Sequence, residues 1–228
     1  MIVTDRFENR EDEIAVVLNC HRRSTKQPTI AVLNQEHALD LFHGNRCLHS
    51  FVCSPASLGE LCVGWLVSEG YGGSSVEVDS QGYTARVQGA LQVPALLEKP
   101  DQPYRIKTSI NRMLALFEEA SDKYERSHGI HACVIQGDGW HILRTDIGRH
   151  NAIDKALGAA VLAGYDLTGG VMFTSGRINV QTVKKAVRCG IGCLMSKAVI
   201  TRQALLLAEE LGLQVLFSVK QGSYMTNG

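Results

Sequence analysis

Neither sign of charge prevails in this chain: 23 lysines and arginines stand against 23 aspartates and glutamates among 228 residues. Without a bulk field of one sign, composition supports no nucleic-acid partner, no anionic membrane surface and no acidic substrate. Long apolar runs are missing too. Each is interrupted within roughly ten residues, well short of the ~20 a bilayer helix needs, so no membrane partner is expected. The opening MIVTDRFENREDE mixes charges and has no apolar segment, which argues against a secretory signal. There is no repeat and no low-complexity stretch. Cysteine is present seven times, at positions 20, 47, 53, 62, 133, 189 and 193, an odd number at irregular spacing. No disulfide framework follows from that, and reduced thiols in a cytoplasmic compartment are expected.

Metal-binding motifs are equally scarce. Neither H-E-x-x-H nor the H-x-E…P-C-x-x-C set of zinc deaminases occurs. His128 and His131 form an H-x-x-H pair, but no cysteine or carboxylate set accompanies them, and odd spacing in a strand points the two rings to opposite faces. No metal is expected. A single catalytic role for His131 stays open.

What is present is a chain 45% apolar and 20% charged, enough for a sizeable core. Its first part reads as short strands at 13–18, 29–33 and 47–53. Ser54-Pro55 then resembles an N-cap followed by proline at the first helical position. Leu58, Leu61, Cys62, Trp65 and Leu66 recur at helical spacing as one buried face, and Gly70 is the expected stop. A hairpin is expected within 76–87. Residues 88–108 carry Pro94, Pro100 and Pro103 and read as a linker, dividing a smaller strand-rich domain (1–100) from a second domain (101–228). In the second, helices at 109–126, 150–163, 179–188 and 201–211 alternate with strands at 130–136, 140–144, 170–174, 193–196 and 213–219. That order predicts an α/β fold, a largely parallel sheet with helices on both faces, whose ligands sit beyond the strands' carboxyl ends.

Polar clusters stand at those ends. Asp146, Gly148, Arg149, His150 and Asn151 follow one strand, and Ser175, Gly176 and Arg177 follow the next. Lys220 to Ser223 follow the last. Each of the first two clusters joins a glycine, a helix start with free N–H groups and an arginine able to grip phosphate through two bonds. Either alone could be a cap; two at consecutive strand ends favour a phosphate-bearing ligand. Cys189 and Cys193, in CGIGC, are the one close cysteine pair. They are weak candidates for a reactive thiol, with the buried structural reading favoured. A competing reading is a small non-zinc hydrolase or deaminase-like enzyme using His131, Asp146 and His150 as acid–base groups.

SPASLGELCVGWLVSEG at 54–70, SHGIHA at 127–132, RTDIGRHNAIDKALG at 144–158 and SGRINVQTVKKAVRCGIG at 175–192 resemble the motifs of the FdhD/NarQ family of formate dehydrogenase accessory proteins. The resemblance spans about residues 50 to 225. It implies a cytidine-deaminase-like mixed sheet with helices on both faces, preceded by a smaller strand-rich domain. It also implies a homodimer binding the bis-molybdopterin guanine dinucleotide molybdenum cofactor, with GDP-like nucleotides as mimics. Partners implied are a cysteine desulfurase, which supplies sulfur as a persulfide, and formate dehydrogenase. By that resemblance the cofactor-binding set is His131, Asp146, Arg149, His150, Asn151, Ser175, Gly176 and Arg177, together with the C-terminal stretch Ser218, Val219, Lys220, Gln221, Gly222 and Ser223. In that stretch Lys220 and Gly222 match the family best. Asn179 and Gln181 replace its usual serine and glutamate. The family's sulfur-carrying C-x-x-C falls within 88–126, where this chain has no cysteine.

Overall fold

A computed structural model describes residues 1–5, 15–21, 28–72, 75–79, 81–92, 97, 109–125, 129–220 and 223–228. His128, Gln221, Gly222 and most of the expected linker therefore lie outside the described residues. The first part of the chain supplies strands β1 (Ile2–Asp5), β4 (His37–His43), β5 (Arg46–Cys53), β6 (Ser75–Val78) and β7 (Thr84–Gln88) to one five-stranded sheet in the order β1-β6-β7-β4-β5. β2 (Ala15–His21) and β3 (Pro28–Asn34) pair with each other as a separate antiparallel ribbon. Along β4 the residues alternate, with His37, Leu39 and Leu41 inward and Ala38 and Asp40 outward, the signature of a sheet covered on one face. That alternation, with the Gly44 turn at φ 57, was visible in HALDLFHGN; β4 is a strand the periodicity reading omits.

The cover is helix α1 (Leu58–Ser68). Its N-cap is Ser57, not Ser54, and Pro55 lies outside the helix. Ser54 is unavailable as a cap because its backbone and hydroxyl are engaged across the molecule, as described below. Nor is α1 buried on one face alone: Gly59, Val63 and Gly64 are buried with the expected Leu58, Leu61, Cys62 and Leu66. Gly70 ends it at φ 84, with the Tyr71 N–H donating to the Leu66 carbonyl, as expected of a glycine stop.

The second sheet holds β8 (His131–Gln136), β9 (His141–Asp146), β10 (Val171–Thr174), β11 (Cys193–Ser196), β12 (Gln214–Lys220) and β13 (Ser223–Thr226), in the order β13-β12-β11-β10-β8-β9. It is mixed rather than largely parallel: β10, β11 and β12 run parallel, while β8, β9 and β13 enter antiparallel. Helix α2 (Ile110–Glu125) packs Met113, Leu114 and Phe117 on one face, against Val134, Phe173 and Met195. Helices α3 (Arg149–Leu162), α4 (Val180–Arg188) and α5 (Arg202–Glu210) cover the other, where Ala156, Val183 and Ala204 meet Ile135, Met172 and Leu194. Helices on both faces of a mixed sheet is the expected fold class. Among the described residues no helix is long and apolar enough to cross a membrane.

α1 and α3 join the two sheets backbone to backbone. A Cβ on Gly64 would lie 1.7 Å from the Asp154 carbonyl oxygen, and one on Gly158 would lie 1.9 Å from that of Glu60. Glycine is obligatory at both positions. The Arg144 guanidinium of β9 grips Glu60 of α1 with both its Nε and Nη2, at 2.6 and 2.7 Å, and ties α1 to the second sheet.

Candidate functional site

Because β8 runs against both of its neighbours, its first residue and the last residues of β9, β10, β11 and β12 lie along one edge of the sheet. The edge carries, in order, Asp146, His131, Ser175, Ser196 and Ser218. Ser175 continues the β10 ladder, its N–H donating to the Ala132 carbonyl, while its hydroxyl accepts from the Ala132 N–H at 3.0 Å and meets His131 Nδ1 at 3.1 Å. Partial burial and the neighbouring Arg149 charge lower the His131 pKa from its ordinary value, so the ring is neutral near pH 7.

Arg149 opens α3 and lies across Gly176: a Cβ there would come within 2.8 and 2.9 Å of the arginine Cβ and Cδ. The glycine lets the β10–α4 loop close on the arginine stem. Arg149 Nε is buried yet has no hydrogen-bond partner among the described residues. A buried guanidinium N–H left unpaired costs about 1–3 kcal/mol, more for a charged group, and is a reason to look for an anion. Arg177 stands exposed one residue on. Lys220 is exposed at the end of β12, two strands from β10 along the same edge, roughly 10 Å away at the usual strand spacing. Between them Ser218 holds the left-handed conformation (φ 53) with its N–H on the Ala198 carbonyl, at an irregularity in the β12–β13 pairing. β13 is a strand beyond the one expected to be last, so Lys220 and Ser223 pair across a hairpin.

Other expected site residues do different work. Asp146 is fully buried and accepts from Ser54 N–H (3.0 Å), Gly148 N–H (2.8 Å), Asn151 Nδ2 (3.0 Å) and Lys155 Nζ (2.6 Å). Those four donors leave no lone pair for a ligand. Ser54 completes the clasp, its hydroxyl accepting from the Ile147 N–H and its carbonyl from Lys155. Asn151 also donates to the Val52 carbonyl at 2.7 Å. The Val219 side chain is buried in the core beneath α2, so it presents only backbone to the edge. His150 meets Asn179 Oδ1 at 3.2 Å. Among the side-chain hydrogen bonds of the described residues, none links any two of His131, Asp146 and His150, and with Asp146 saturated they do not form the connected acid–base set the hydrolase reading needs.

The thiols divide sharply. Cys189 and Cys193 are 8% and 1% exposed, and burial pushes both up to about 12. Thiols so placed carry almost no thiolate at neutral pH, which argues against either as a reactive thiol. Cys53 is likewise pushed up to about 12, and burial raises Cys133 further still. Of Cys47, Cys53, Cys62, Cys133, Cys189 and Cys193, only Cys47, at the start of β5, is exposed. Among the described residues no group of three or more His, Cys, Asp or Glu could hold a metal ion.

A cavity missed by sequence reasoning lies between β5, α1, α3 and α4, with a volume of about 500 Å³. Its floor is a buried ion cluster in which Lys185 Nζ lies 2.8 Å from Asp154 and 3.2 Å from Glu69, with Ser68 accepting from the same ammonium at 2.7 Å. Burial pushes the Asp154 carboxyl above its ordinary range against the opposing pull of Lys185. The signal available was the i, i+4 spacing of Gln181 and Lys185 and of His150 and Asp154, which puts each pair on one helix face.

Residues 85–226 match the FdhD/NarQ family. The sulfur carrier protein FdhD of Bacillus subtilis (strain 168) is 28% identical over 97% of this chain and 93% of its own length. That of Geobacillus kaustophilus (strain HTA426) is 30% identical over 92% of this chain and 86% of its own. In fold the chain is similar to a crystal structure described as a formate dehydrogenase accessory protein from Desulfotalea psychrophila. The TM-score is 0.79 at 22% identity, over 93% of this chain and 96% of that one.

Proposed function

Because the chain belongs to the FdhD/NarQ family, we propose that it is a formate dehydrogenase accessory protein. In this reading it binds the bis-molybdopterin guanine dinucleotide molybdenum cofactor at the carboxyl edge of the six-stranded sheet. One observation carries the assignment: the buried Nε of Arg149, without a partner and lying against the Gly176 turn. A phosphate oxygen fits that N–H, and the cofactor is rich in phosphate. Arg149 would hold it from the sheet side, with Ser175 and neutral His131 as further hydrogen-bonding groups, and Arg177 and Lys220 would add charge from the rim. The cofactor supplies the metal chemistry; these residues bind and orient. In this role the protein acts in the cytoplasm as a homodimer, with a cysteine desulfurase and formate dehydrogenase as partners, as the family resemblance implies.

Calorimetric titration with GDP tests the assignment. Arg149→Lys keeps the charge but loses the planar fork, and Arg177→Ala removes a rim charge. Each is expected to weaken GDP by about tenfold, the loss of one charged hydrogen bond. Parent-like affinity in both variants removes the cofactor from this edge.

A further inference from the structure

Ser175 has one hydrogen and two lone pairs to place, and its neighbours fix where they go. The Ala132 N–H donates to Oγ at 3.0 Å and fills one lone pair, while His131 Nδ1 stands 3.1 Å away. When Nδ1 is bare, the hydroxyl donates to it. The O–H then points into the sheet edge, and a ligand would meet only the remaining lone pair, which repels an anion. Once Nδ1 carries a hydrogen, it donates to Oγ instead. Both lone pairs are then filled, and the O–H is free to turn away from Ala132 and His131. The next residue, Gly176, is the one on which the Arg149 stem lies, so the released hydroxyl and the unpaired Arg149 Nε belong to one patch.

The charges around the ring decide which state holds. Partial burial and the Arg149 guanidinium of α3 push the His131 pKa below its ordinary value; Asp146, its partner across the β8–β9 pair, pulls the other way, and His150 of α3 opposes protonation again. Arg177, in the turn between β10 and α4, is exposed two residues past Ser175. Asp146 is matched by Lys155 at 2.6 Å, which leaves Arg149 as the charge that an incoming ligand can change. An anion on Arg149 cancels its opposition. We propose that His131 is a positioning residue for this edge: as an anion settles on Arg149, the ring takes a proton from solvent, and its Nδ1–H turns the Ser175 hydroxyl outward onto the ligand. The ring is neutral when the ligand arrives and cationic once it is held. By linkage, affinity is lowest where the ring stays neutral, rises as pH falls through the His131 pKa of the complex, and levels off below that of the free protein. The proposal rests on the anion-binding reading of the edge and adds a proton to it.

Sulfate, whose own charge does not change over the range, is the probe, with ionic strength held by potassium chloride. Nuclear magnetic resonance follows the His131 ring through a pH titration of the full chain, and sulfate is expected to raise its midpoint. Calorimetry is expected to show binding at least about threefold tighter at pH 5.5 than at pH 8, with net proton uptake in buffers of different ionisation enthalpy. Ser175→Ala should weaken sulfate at the lower pH and not at the higher, a split that a purely structural hydroxyl would not produce. His131→Asn leaves an amide donor facing Oγ and should bind with an affinity that no longer depends on pH. An unmoved His131 midpoint, binding without proton uptake, or uptake that survives His131→Asn overturns the proposal and leaves the anion edge standing. So does sulfate failing to bind where GDP binds; if neither binds, the edge itself falls too.

Discussion

Asp146 carries the type of side chain that suggests catalysis, yet four donors occupy its oxygens, one of them Lys155 at 1% exposure. Removing one partner leaves the other as an uncompensated buried charge, which costs about 3–5 kcal/mol. Asp146→Ala and Lys155→Met are each expected to lose that much in urea unfolding, and a loss below 1 kcal/mol would show that water reaches the pair. The thiols give a second test at this scale. Under native conditions iodoacetamide is expected to modify Cys47 while sparing Cys53, Cys133, Cys189 and Cys193, whose thiolates burial suppresses. Peptide mass spectrometry reads the pattern, and rapid modification of Cys189 would restore it as a sulfur acceptor. The imidazoles supply a third. Burial lowers the pKa of His49, His131 and His150, so the unfolded chain binds more protons than the folded one. Their contribution to stability is present above the unfolded value near 6.5 and is lost as pH falls through the lower folded values. Calorimetric Tm is expected to drop between pH 7.5 and 5.5, and by less in His131→Asn.

At the scale of elements, periodicity places most of the helices and strands because their burial is local. Asn179 caps α4 and Thr201 caps α5 through their own side chains, where residue type alone announces the helix start. α1 fails the same test. Ser54-Pro55 has the right chemistry, but the Ser54 N–H, hydroxyl and carbonyl are taken by groups more than 90 positions later in the chain, and Ser57 begins the helix in a left-handed conformation. β13 escapes notice because all four of its residues are exposed and offer no alternation. The edge residues were legible as polar clusters after strands; that Asp146 clasps while Arg149 is left unpaired depends on contacts that spacing does not encode. The α1–α3 crossing yields its own prediction. On an exposed helix Gly→Ala gains about 1 kcal/mol. At Gly64 or Gly158 the added methyl would meet backbone carbonyls at 1.7 or 1.9 Å, and overpacking of about 3 kcal/mol should reverse the sign. Urea midpoints for the two variants settle it.

Over the whole molecule, the expectation for sulfur follows from where the thiols are. A chain without cysteine in 88–126, and with Cys189 and Cys193 buried, should not complement loss of a family member that carries the C-x-x-C pair. Complementation abolished by joint replacement of Cys189 and Cys193 with alanine would show that the burial opens in the cell. The clasp and the glycine crossing have a further consequence, for how such a protein can be inherited. The anion edge is built from the second half of the chain, but the turn from β9 into α3 is moored to Ser54 and α3 itself lies against Gly64. Recombination that handed 109–228 to a new leading segment would strand Asp146, Lys155 and the face of α3 without their partners. The halves can therefore change only in step, and a gene encoding the second alone should yield insoluble protein rather than a small nucleotide binder.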